Sequence, residues 1–298
     1  MTAPGLLVVD KPTGSTSHSV VGQVRRILGT RKVGHAGTLD PMATGVLIIG
    51  VDRATRLLGH LALTDKAYAA TIRLGQSTVT DDAEGDVVSN APTDAVQALD
   101  HGDLVEGLAR LTGTVRQRPS AVSAVKVQGR RAYDLVRSGV EVDLPERTVT
   151  IASIDLDEVR WSPGAVDLDI RVECSSGTYV RAIARDLGEH LGVGGHLTRL
   201  RRTRVGAFTE REAVSLAELA EKPEAALVTL REVARRCFPL WEVDERDAHH
   251  VIHGVRLPWA AAPDAGAPVA LVDARGRFLA LAEEQDGRAR YLVVFPDA

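Results

Sequence analysis

Residues 34–51 read GHAGTLDPMATGVLIIGV and join a glycine-rich loop directly to an unbroken apolar run. The run from Gly45 to Val51 is typical of a strand buried on both faces. Three glycines and a proline among the first twelve residues predict a loop of defined shape. The stretch therefore predicts that the carboxyl group of Asp40 is held just before a buried strand.

The surroundings of Asp40 allow two interpretations. Leu39 and Pro41 flank it with apolar surface, and a carboxylate held in that way can act as a nucleophile or a general base. The alternative is that the Asp-Pro pair only begins a turn, which is the commoner role of that dipeptide. Spacing alone leaves both interpretations open.

Two other segments carry candidate functional residues. Residues 174–181 read CSSGTYVR and pass from a predicted strand into a predicted helix, whose first amides can meet a phosphate with Arg181 one turn inside. Residues 66–68 read KAY, and Tyr68 offers an aromatic face to a nucleobase. The alternatives are a solvated helix position for Arg181 and ordinary packing for Tyr68.

Residues 197–204 read LTRLRRTR, a density of arginine that suits contacts with nucleic-acid phosphates, although a solvated charged face is the alternative. His249 and His253 lie one helical turn apart, as metal ligands would. No glutamate stands between them and no third ligand is evident, so we expect no metal site. The sequence has no phosphate-binding Gly-Lys-Ser/Thr loop, dinucleotide fingerprint or Gly-x-Ser-x-Gly elbow, so we expect chemistry without a cofactor.

Apolar periodicity predicts the elements that carry these residues. A buried strand is predicted at 6–9, and a helix capped by Ser17 or Ser19 extends to Leu28. The other main predictions, in chain order, are a strand at 68–74, an acidic loop at 78–86, a helix at 130–138, a hairpin of strands 149–161 and 166–174, and a helix at 178–191.

The composition changes near Pro239. Beyond it, a short helix and three short strands predict a barrel-like β module of about 55 residues after a mixed α/β domain. These elements are predicted at 246–254, 269–272, 278–282 and 291–295. We therefore divide the chain into residues 1–238 and 239–298.

The 298-residue chain is long enough for one large domain, or for a large and a small one. Apolar residues make up 44% and charged residues 26%, as in ordinary globular proteins. The net charge of −4 alone argues against nucleic-acid binding, but basic residues concentrate in three segments. Residues 1–60 hold seven basic and three acidic side chains, residues 110–137 seven and one, and residues 171–211 eight and four. This segregation permits a positive surface on an acidic protein.

Two cysteines, Cys174 and Cys237, are too few and too far apart for a disulfide framework or a structural zinc site. The N-terminal apolar run is too short for a signal peptide, and no segment is long enough to span a bilayer. We therefore expect a cytoplasmic protein without membrane contact.

In combination, these segments closely resemble the TruB family of tRNA pseudouridine synthases. The match spans residues 6–204, about two-thirds of the chain. Its motifs, in order, are Asp10-Lys11-Pro12 with Gly14 and Ser17, Gly34 to Gly45, Asp65-Lys66 with Tyr68 and Arg73-Leu74-Gly75, Pro119-Ser120 through Ala124-Lys126 and Gly129, Cys174 to Arg181, and Leu200-Arg201-Arg202. The resemblance implies an α+β fold, with a mixed, largely antiparallel sheet, flanking helices and an RNA-binding cleft, followed by a small β-rich PUA-like module that binds RNA.

The resemblance also implies roles for single residues in catalysis. Asp40 matches the family's catalytic aspartate, and Arg181 matches the arginine that pairs with it. Tyr68 matches the active-site tyrosine, which packs on the target base and is proposed to take the proton from C5.

Other matched positions concern substrate binding. Tyr179 and Leu200 match residues that line the uracil pocket, His35 matches the histidine that fills the gap left by the extruded nucleotide, and Lys11 matches a lysine that supports the site. We expect the arginine run, Arg199, Arg201 and Arg202, to contact RNA, and the three basic segments to line one cleft.

The expected function is isomerisation of uridine-55 in the T loop of tRNA to pseudouridine by a monomer that needs no cofactor, metal or guide RNA. Two alternatives stay open: a guide-dependent rRNA pseudouridine synthase, and a non-catalytic RNA-binding or tRNA-folding protein. A hydrolase is disfavoured because no second carboxylate is placed for it.

Overall fold

The computed structural model describes residues 3–120, 126–127, 130–131, 145–224, 226–260 and 268–296. Within these ranges the helices are α1 Ser17–Leu28, α2 Leu58–Ala62, α3 Thr93–Gln97, α4 His101–Arg110, α5 Val180–His190, α6 Leu216–Glu221, α7 Leu230–Cys237 and α8 Glu245–Ile252, with 3-10 turns at Asp52–Leu57 and Glu210–Glu212.

The strands fall in the same ranges. They are β1 Gly5–Lys11, β2 Val33–Ala36, β3 Thr44–Val51, β4 Lys66–Leu74, β5 Gln76–Thr78, β6 Val87–Asn90, β7 Gly113–Gln117, β8 Lys126–Val127, β9 Arg130–Arg131, β10 Arg147–Ser162, β11 Ala165–Cys174, β12 Gly195–Val205, β13 Phe208–Thr209, β14 Leu227–Thr229, β15 Leu240–Val243, β16 Val269–Asp273, β17 Phe278–Gln285 and β18 Arg288–Val294. The helix predicted at 130–138 begins on strand β9 instead, and its remainder lies outside the described residues.

The chain divides into two compact units. Pro41–Gly45 and Leu63–Val205 form the unit that we call the central unit, whereas Met1–Asp40, Val46–Ala62 and Gly206–Ala298 form the terminal unit. The boundary predicted between residues 238 and 239 lies inside the terminal unit, at the start of the C-terminal β module. That boundary stays a prediction.

The central unit is built on an antiparallel sheet in the order β12-β4-β11-β10-β7. Strand β4 pairs along its whole length with β11, from Lys66 opposite Cys174 to Leu74 opposite Val166. The predicted hairpin is confirmed as β10 and β11, and its turn contains Gly164 with a φ of +77°. In the described part of the chain, β7 pairs only with residues 147–151 of β10.

Strand β12 carries the arginine run. Residues 195–205 form an interior strand between two others, so successive side chains of the run point to opposite faces of the sheet. Leu197 is fully buried, Leu200 is 6% exposed and Arg202 is only 1% exposed. Register shifts on either side of residues 199–202 break the alternation of polar and apolar positions, which is why period two is hard to find in the sequence.

The first residues of β3 approach β12 closely. Thr44 and Gly45 pair in parallel with Arg201 and Arg202. Gly45 has a φ of +98°, and a Cβ added there would lie 2.2 Å from the carbonyl oxygen of Arg202. The position therefore requires glycine for both its backbone conformation and its space.

The terminal unit contains the strand order β14-β1-β3, with β2 paired antiparallel to β3. The predicted strand at 6–9 is confirmed within β1, and the apolar run is confirmed as β3, whose Val46 and Leu47 are fully buried. Residues 33–36 form strand β2, so the loop predicted from residue 34 begins later.

Helix α1 is capped by Thr16, and the predicted caps Ser17 and Ser19 are wrong. The hydroxyl of Thr16 accepts a hydrogen bond from the amide of Ser19 at 3.0 Å. Ser17 is buried inside the first turn, and its hydroxyl is used by another segment, described below.

The C-terminal part of the terminal unit confirms a small β-rich module. Its sheet has the order β15-β16-β17-β18, and helix α8 packs on it through Val251. Positive φ angles at Asp286 and Gly287 form the two-residue turn between β17 and β18, as expected for a type I′ hairpin. Strand β15, parallel to β16, lies outside the predicted elements.

None of the helices in the described ranges is long and apolar enough to cross a membrane.

The substitution Gly45→Ala tests the close approach of β3 and β12. It adds a Cβ at 2.2 Å from a backbone oxygen in a left-handed conformation, so we expect a loss of unfolding free energy on the order of 2–4 kcal/mol in urea denaturation. Gly59→Ala is the matched control, because a Cβ at Gly59 would have no atom within 4 Å. Equal midpoints for Gly45→Ala and wild type would refute the constraint.

Candidate active site

Asp40 is half-buried at the end of a loop that a single hydroxyl anchors. The side chain of Ser17 donates a hydrogen bond to the carbonyl of Leu39 at 3.1 Å and accepts one from the amide of Leu39 at 2.9 Å. Ser17 and Leu39 are 1% and 4% exposed. The residue before Asp40 is therefore fixed on the first turn of α1, which limits the positions that the carboxylate can take.

Lys11 supports the same region from inside. Its side chain is fully buried, and its ammonium group donates to the carbonyls of Pro12 at 3.0 Å and Ser15 at 2.6 Å. It thereby stabilises the turn that leads from β1 to Thr16 and Ser17. That Lys11 belongs to the residues that bind the RNA substrate stays a prediction, and its expected supporting role fits this geometry.

The sequence predicted His35 in a loop, but His35 lies on strand β2, opposite Ile49. Its ring contacts that of His18 edge to face, with centroids 5.3 Å apart. The structure thus places Lys11, His35 and Asp40 in the terminal unit.

The central unit brings three other predicted residues onto one face of its sheet. Tyr68 on β4 lies directly opposite Arg202 on β12, and Ala70 lies opposite Leu200. Cross-strand partners and residues two apart share a face, so Tyr68, Leu200 and Arg202 face the same side. Tyr68 is 8% exposed.

Lys66 adds a second buried cation to this face. It precedes Tyr68 by two positions, is 6% exposed, and its ammonium donates to the carbonyl of Thr64 at 2.7 Å. Burial, followed by repulsion from Arg202, lowers the pKa of Lys66 to about 8. Positive charge is therefore concentrated around Tyr68 in a poorly solvated environment.

The predicted RNA contacts in β12 do not form one surface. Arg202 is buried on the Tyr68 face, and its contact with RNA stays a prediction. Arg199 and Arg201 lie opposite Thr71 and Ala69 and therefore point to the other face of the sheet. Arg199 is exposed there, and Arg201 is half-buried.

Arg181 is held by a carboxylate that the sequence interpretation missed. The side chain lies in the first turn of α5 and is 5% exposed, which excludes the solvated alternative. Its Nη1 lies 3.3 Å from Oδ2 of Asp82 and donates to the carbonyl of Thr80 at 2.9 Å. Asp82 is 3% exposed. Its partner is 99 positions away along the chain, so no local spacing indicates the contact.

Tyr179 precedes α5 and is fixed through its backbone. Its amide donates to Oε1 of Gln117 at 3.0 Å, and Nε2 of Gln117 donates to its carbonyl at 3.3 Å. Gln117 is 3% exposed and ends strand β7. The predicted free helix N-terminus for a phosphate thus has one amide already occupied, and Gln117 is a second residue that the sequence did not indicate.

These contacts define the chemistry that each unit offers. The terminal unit holds an anchored, half-buried carboxylate, and the central unit holds an aromatic side chain among buried cations together with an arginine fixed by a carboxylate. A carboxylate can act on a sugar or a base as nucleophile or general base, and an aromatic ring can stack on a nucleobase.

Family models match nearly the whole chain. The model described as TruB family pseudouridylate synthase (N terminal domain) matches residues 25–180. Models described as tRNA pseudouridylate synthase B C-terminal domain and tRNA Pseudouridine synthase II, C terminal, match residues 181–237 and 238–296.

Similar proteins cover the chain at full length. The tRNA pseudouridine synthase B of Streptomyces griseus is 52% identical over 299 residues, which cover 99% of this chain and 98% of that protein. The protein of the same name from Thermobifida fusca is 52% identical over 297 residues, covering 98% and 99%.

Solved structures support the same fold. A crystal structure of a Cbf5-Nop10-Gar1 complex matches with a TM-score of 0.73 and 27% identity, over 94% of this chain and 78% of the other. The archaeal box H/ACA sRNP Nop10-Cbf5 complex matches with a TM-score of 0.70 and 25% identity, over 98% and 85%. The resemblance carried by the motifs and the α+β fold are confirmed, and the chain belongs to the TruB family of pseudouridylate synthases.

Proposed function

We propose that this protein converts uridine-55 in the T loop of tRNA into pseudouridine, without a guide RNA or a cofactor. The observation that supports this most is the anchored Asp40. It occupies the catalytic position of the TruB motif, and both backbone groups of the preceding residue are held by the buried hydroxyl of Ser17. Relatives about half identical over the full length are named tRNA pseudouridine synthase B.

The reaction breaks the C1′–N1 bond of uridine, turns the base and joins C1′ to C5, while the proton of C5 is lost and N1 gains one. A stacked base is inaccessible, so the nucleotide must be flipped out at a cost of a few kcal/mol. Stacking on Tyr68 returns about 1–3 kcal/mol, and His35 fills the space that the nucleotide leaves.

Each remaining site residue has a defined task in this proposal. Asp40 acts at the reacting nucleotide, and Arg181 pairs with it. Asp82 and the carbonyl of Thr80 orient the guanidinium of Arg181. Tyr68 takes the proton from C5, and Tyr179 and Leu200 line the uracil pocket. Because the oriented guanidinium has fixed partners, it needs little reorganisation during the reaction.

The tRNA is bound through the T arm in this proposal. The basic segments 1–60, 110–137 and 171–211 line one cleft, with Arg199 and Arg201 as phosphate contacts in the last segment. The segment 110–137 is described only in part. The protein acts as a cytoplasmic monomer, and the module at 239–298 makes small, local RNA contacts, because residues 242–298 hold six basic and ten acidic side chains.

A guide-dependent rRNA synthase is the second candidate, because the similar solved structures are Cbf5 complexes with Nop10. The names and the half-identical sequences of the relatives favour tRNA as the substrate. Activity on a synthetic T-arm hairpin without any guide or protein partner separates the two candidates.

The substitution Asp40→Asn tests the proposed catalytic role. Asn keeps the shape but lacks the negative charge, so we expect pseudouridine formation in a T-arm hairpin to fall at least about a thousandfold. The Kd for the hairpin should stay within about threefold, because the backbone anchor at Leu39 is unchanged. Pseudouridine is mapped by carbodiimide-blocked primer extension. Asp94→Asn, at an exposed position of α3, serves as the control, and turnover by Asp40→Asn at the wild-type rate would exclude the assignment.

The substitution Asp82→Asn tests the orientation of Arg181. The substitution removes the buried carboxylate that contacts the guanidinium of Arg181, so we expect a loss of unfolding free energy of about 3 kcal/mol and a single-turnover rate lower by about 100-fold. Thermal melting and quenched-flow mapping of pseudouridine measure the two effects. Asp86→Asn, at an exposed position of the same loop, should change neither, and a wild-type rate in Asp82→Asn would contradict the role of Asp82.

A further inference from the structure

Two adjacent aspartates contact two arginines that lie one helical turn apart on α5. Asp82 contacts Arg181, as described above. Asp81 contacts Arg185, with Oδ2 at 3.4 Å from Nη1. Residues four apart share one face of a helix. The turn that contains both aspartates therefore contacts that face of α5 at two positions, one helical turn apart. The proposed function assigns a task to the first pair and none to the second.

Arg185 joins this turn to a third segment. Its Nη2 donates to the carbonyl of Arg118 at 2.9 Å and to Oδ1 of Asp186 at 2.6 Å. The hydroxyl of Ser120 donates to Oδ2 of Asp81 at 2.6 Å, the same oxygen that faces Arg185. Ser120 is fully buried. The ion pairs of Asp81 and Asp82 with the two arginines, together with the hydrogen bonds to Arg118 and from Ser120, therefore connect α5, the turn and residues 118–120.

The backbone of Asp81 is also fixed. Its φ is +57°, a conformation that Asp and Asn adopt more readily than most residues. Its carbonyl accepts a hydrogen bond from the amide of Leu197 in β12 at 3.0 Å, and its amide donates to the carbonyl of Thr78 at 3.3 Å. The backbone that carries this carboxyl group is thus held by hydrogen bonds through both its amide and its carbonyl.

Burial makes this carboxylate depend on its partners. Desolvation raises the pKa of Asp81, while the hydrogen bond from Ser120 and the charges of Arg185 and Arg181 act in the opposite direction. The side chains of Asp81 and Arg185 are 14% and 21% exposed, so solvent screens the pair only in part.

We propose that Asp81, Arg185 and Ser120 form a positioning clamp that keeps Asp82, the next residue, at the distance from which it orients Arg181. The clamp touches none of the groups to which the proposed mechanism assigns chemistry. It acts through the peptide bond between Asp81 and Asp82 and through the shared helix of Arg181 and Arg185. This inference rests on the proposed function, because the clamp positions Asp82 and Arg181 for the reaction proposed there.

The test compares single-turnover rates and hairpin affinities of Arg185→Met and Asp81→Asn. Asn suits the positive φ at residue 81, and Met keeps most of the length of Arg185. Small misplacements of a catalytic group cost up to about 100-fold in rate, so we expect rates lower by about 10- to 100-fold, with Kd within about threefold. Since both substitutions open the same clamp, the double variant should be no slower than the slower single one.

Arg185→Lys separates positioning from general stability. Lysine keeps the charge but cannot donate to Asp81, Asp186 and the carbonyl of Arg118 together. The single-turnover rate of Arg185→Lys should therefore lie between those of Arg185→Met and wild type. The thermal midpoints of Arg185→Lys and Arg185→Met should be equal. Arg160→Met is the matched control, because Arg160 makes comparable ion pairs with Asp169 and Glu158 on the exposed β10–β11 hairpin.

The outcomes distinguish the clamp from the proposed function. If wild type fails to form pseudouridine in the hairpin, the proposed function is wrong. If wild type is active and Arg185→Met is equally fast, or if its loss appears only in Kd, the clamp is wrong. Additive losses in the double variant, or an equal loss in Arg160→Met, would also overturn the clamp.

Discussion

The close approach of two backbones, at Gly45 in β3 and Arg202 in β12, is the constraint on which the site depends. The parallel pairing of Thr44 and Gly45 with Arg201 and Arg202 leaves no room for a side chain at residue 45. The same register turns Arg202 to the buried face, opposite Tyr68. Asp40 stands only four residues before Thr44 in the sequence, so the loop that carries the carboxylate ends at a point where the chain has almost no freedom.

Buried positive charge is the second unusual feature of the protein. Lys11, Lys66, Arg181 and Arg202 are each at most 6% exposed. A buried cation is costly unless acceptors surround it, and backbone carbonyls or a carboxylate provide such acceptors for Lys11, Lys66 and Arg181. Perturbed charges of this kind concentrate at functional sites. In this chain, three of these interior cations are thus held by acceptors of the protein itself.

The sequence predicts those elements whose signal is local. The apolar run of β3 and the alternating hairpin of β10 and β11 depend on neighbouring residues only, and they are confirmed. The combination of motifs that includes the Asp40 loop identifies the family, because the motifs occur in a fixed order along the chain.

The remaining features depend on distant contacts. Strand β12 is hidden because two register shifts interrupt its alternation, so Leu197 and Leu200 both point inward although they are three positions apart. The contact between Asp82 and Arg181 joins segments that are far apart in sequence, as does the contact of Gln117 with Tyr179. The N-cap of α1 is displaced by one residue because the buried hydroxyl of Ser17 is already bonded to Leu39.

The unequal lengths of β7 and β10 have a consequence for solubility. Pairing with β7 ends at Ile151, and among the described residues the rest of β10 forms an open edge of its sheet. An open edge is a template for adding another strand, and charged side chains along it prevent such association. Residues 153–162 carry three acidic side chains and one basic side chain. The charged side chains of this segment are of the kind by which proteins protect an open edge from pairing with other copies of the chain.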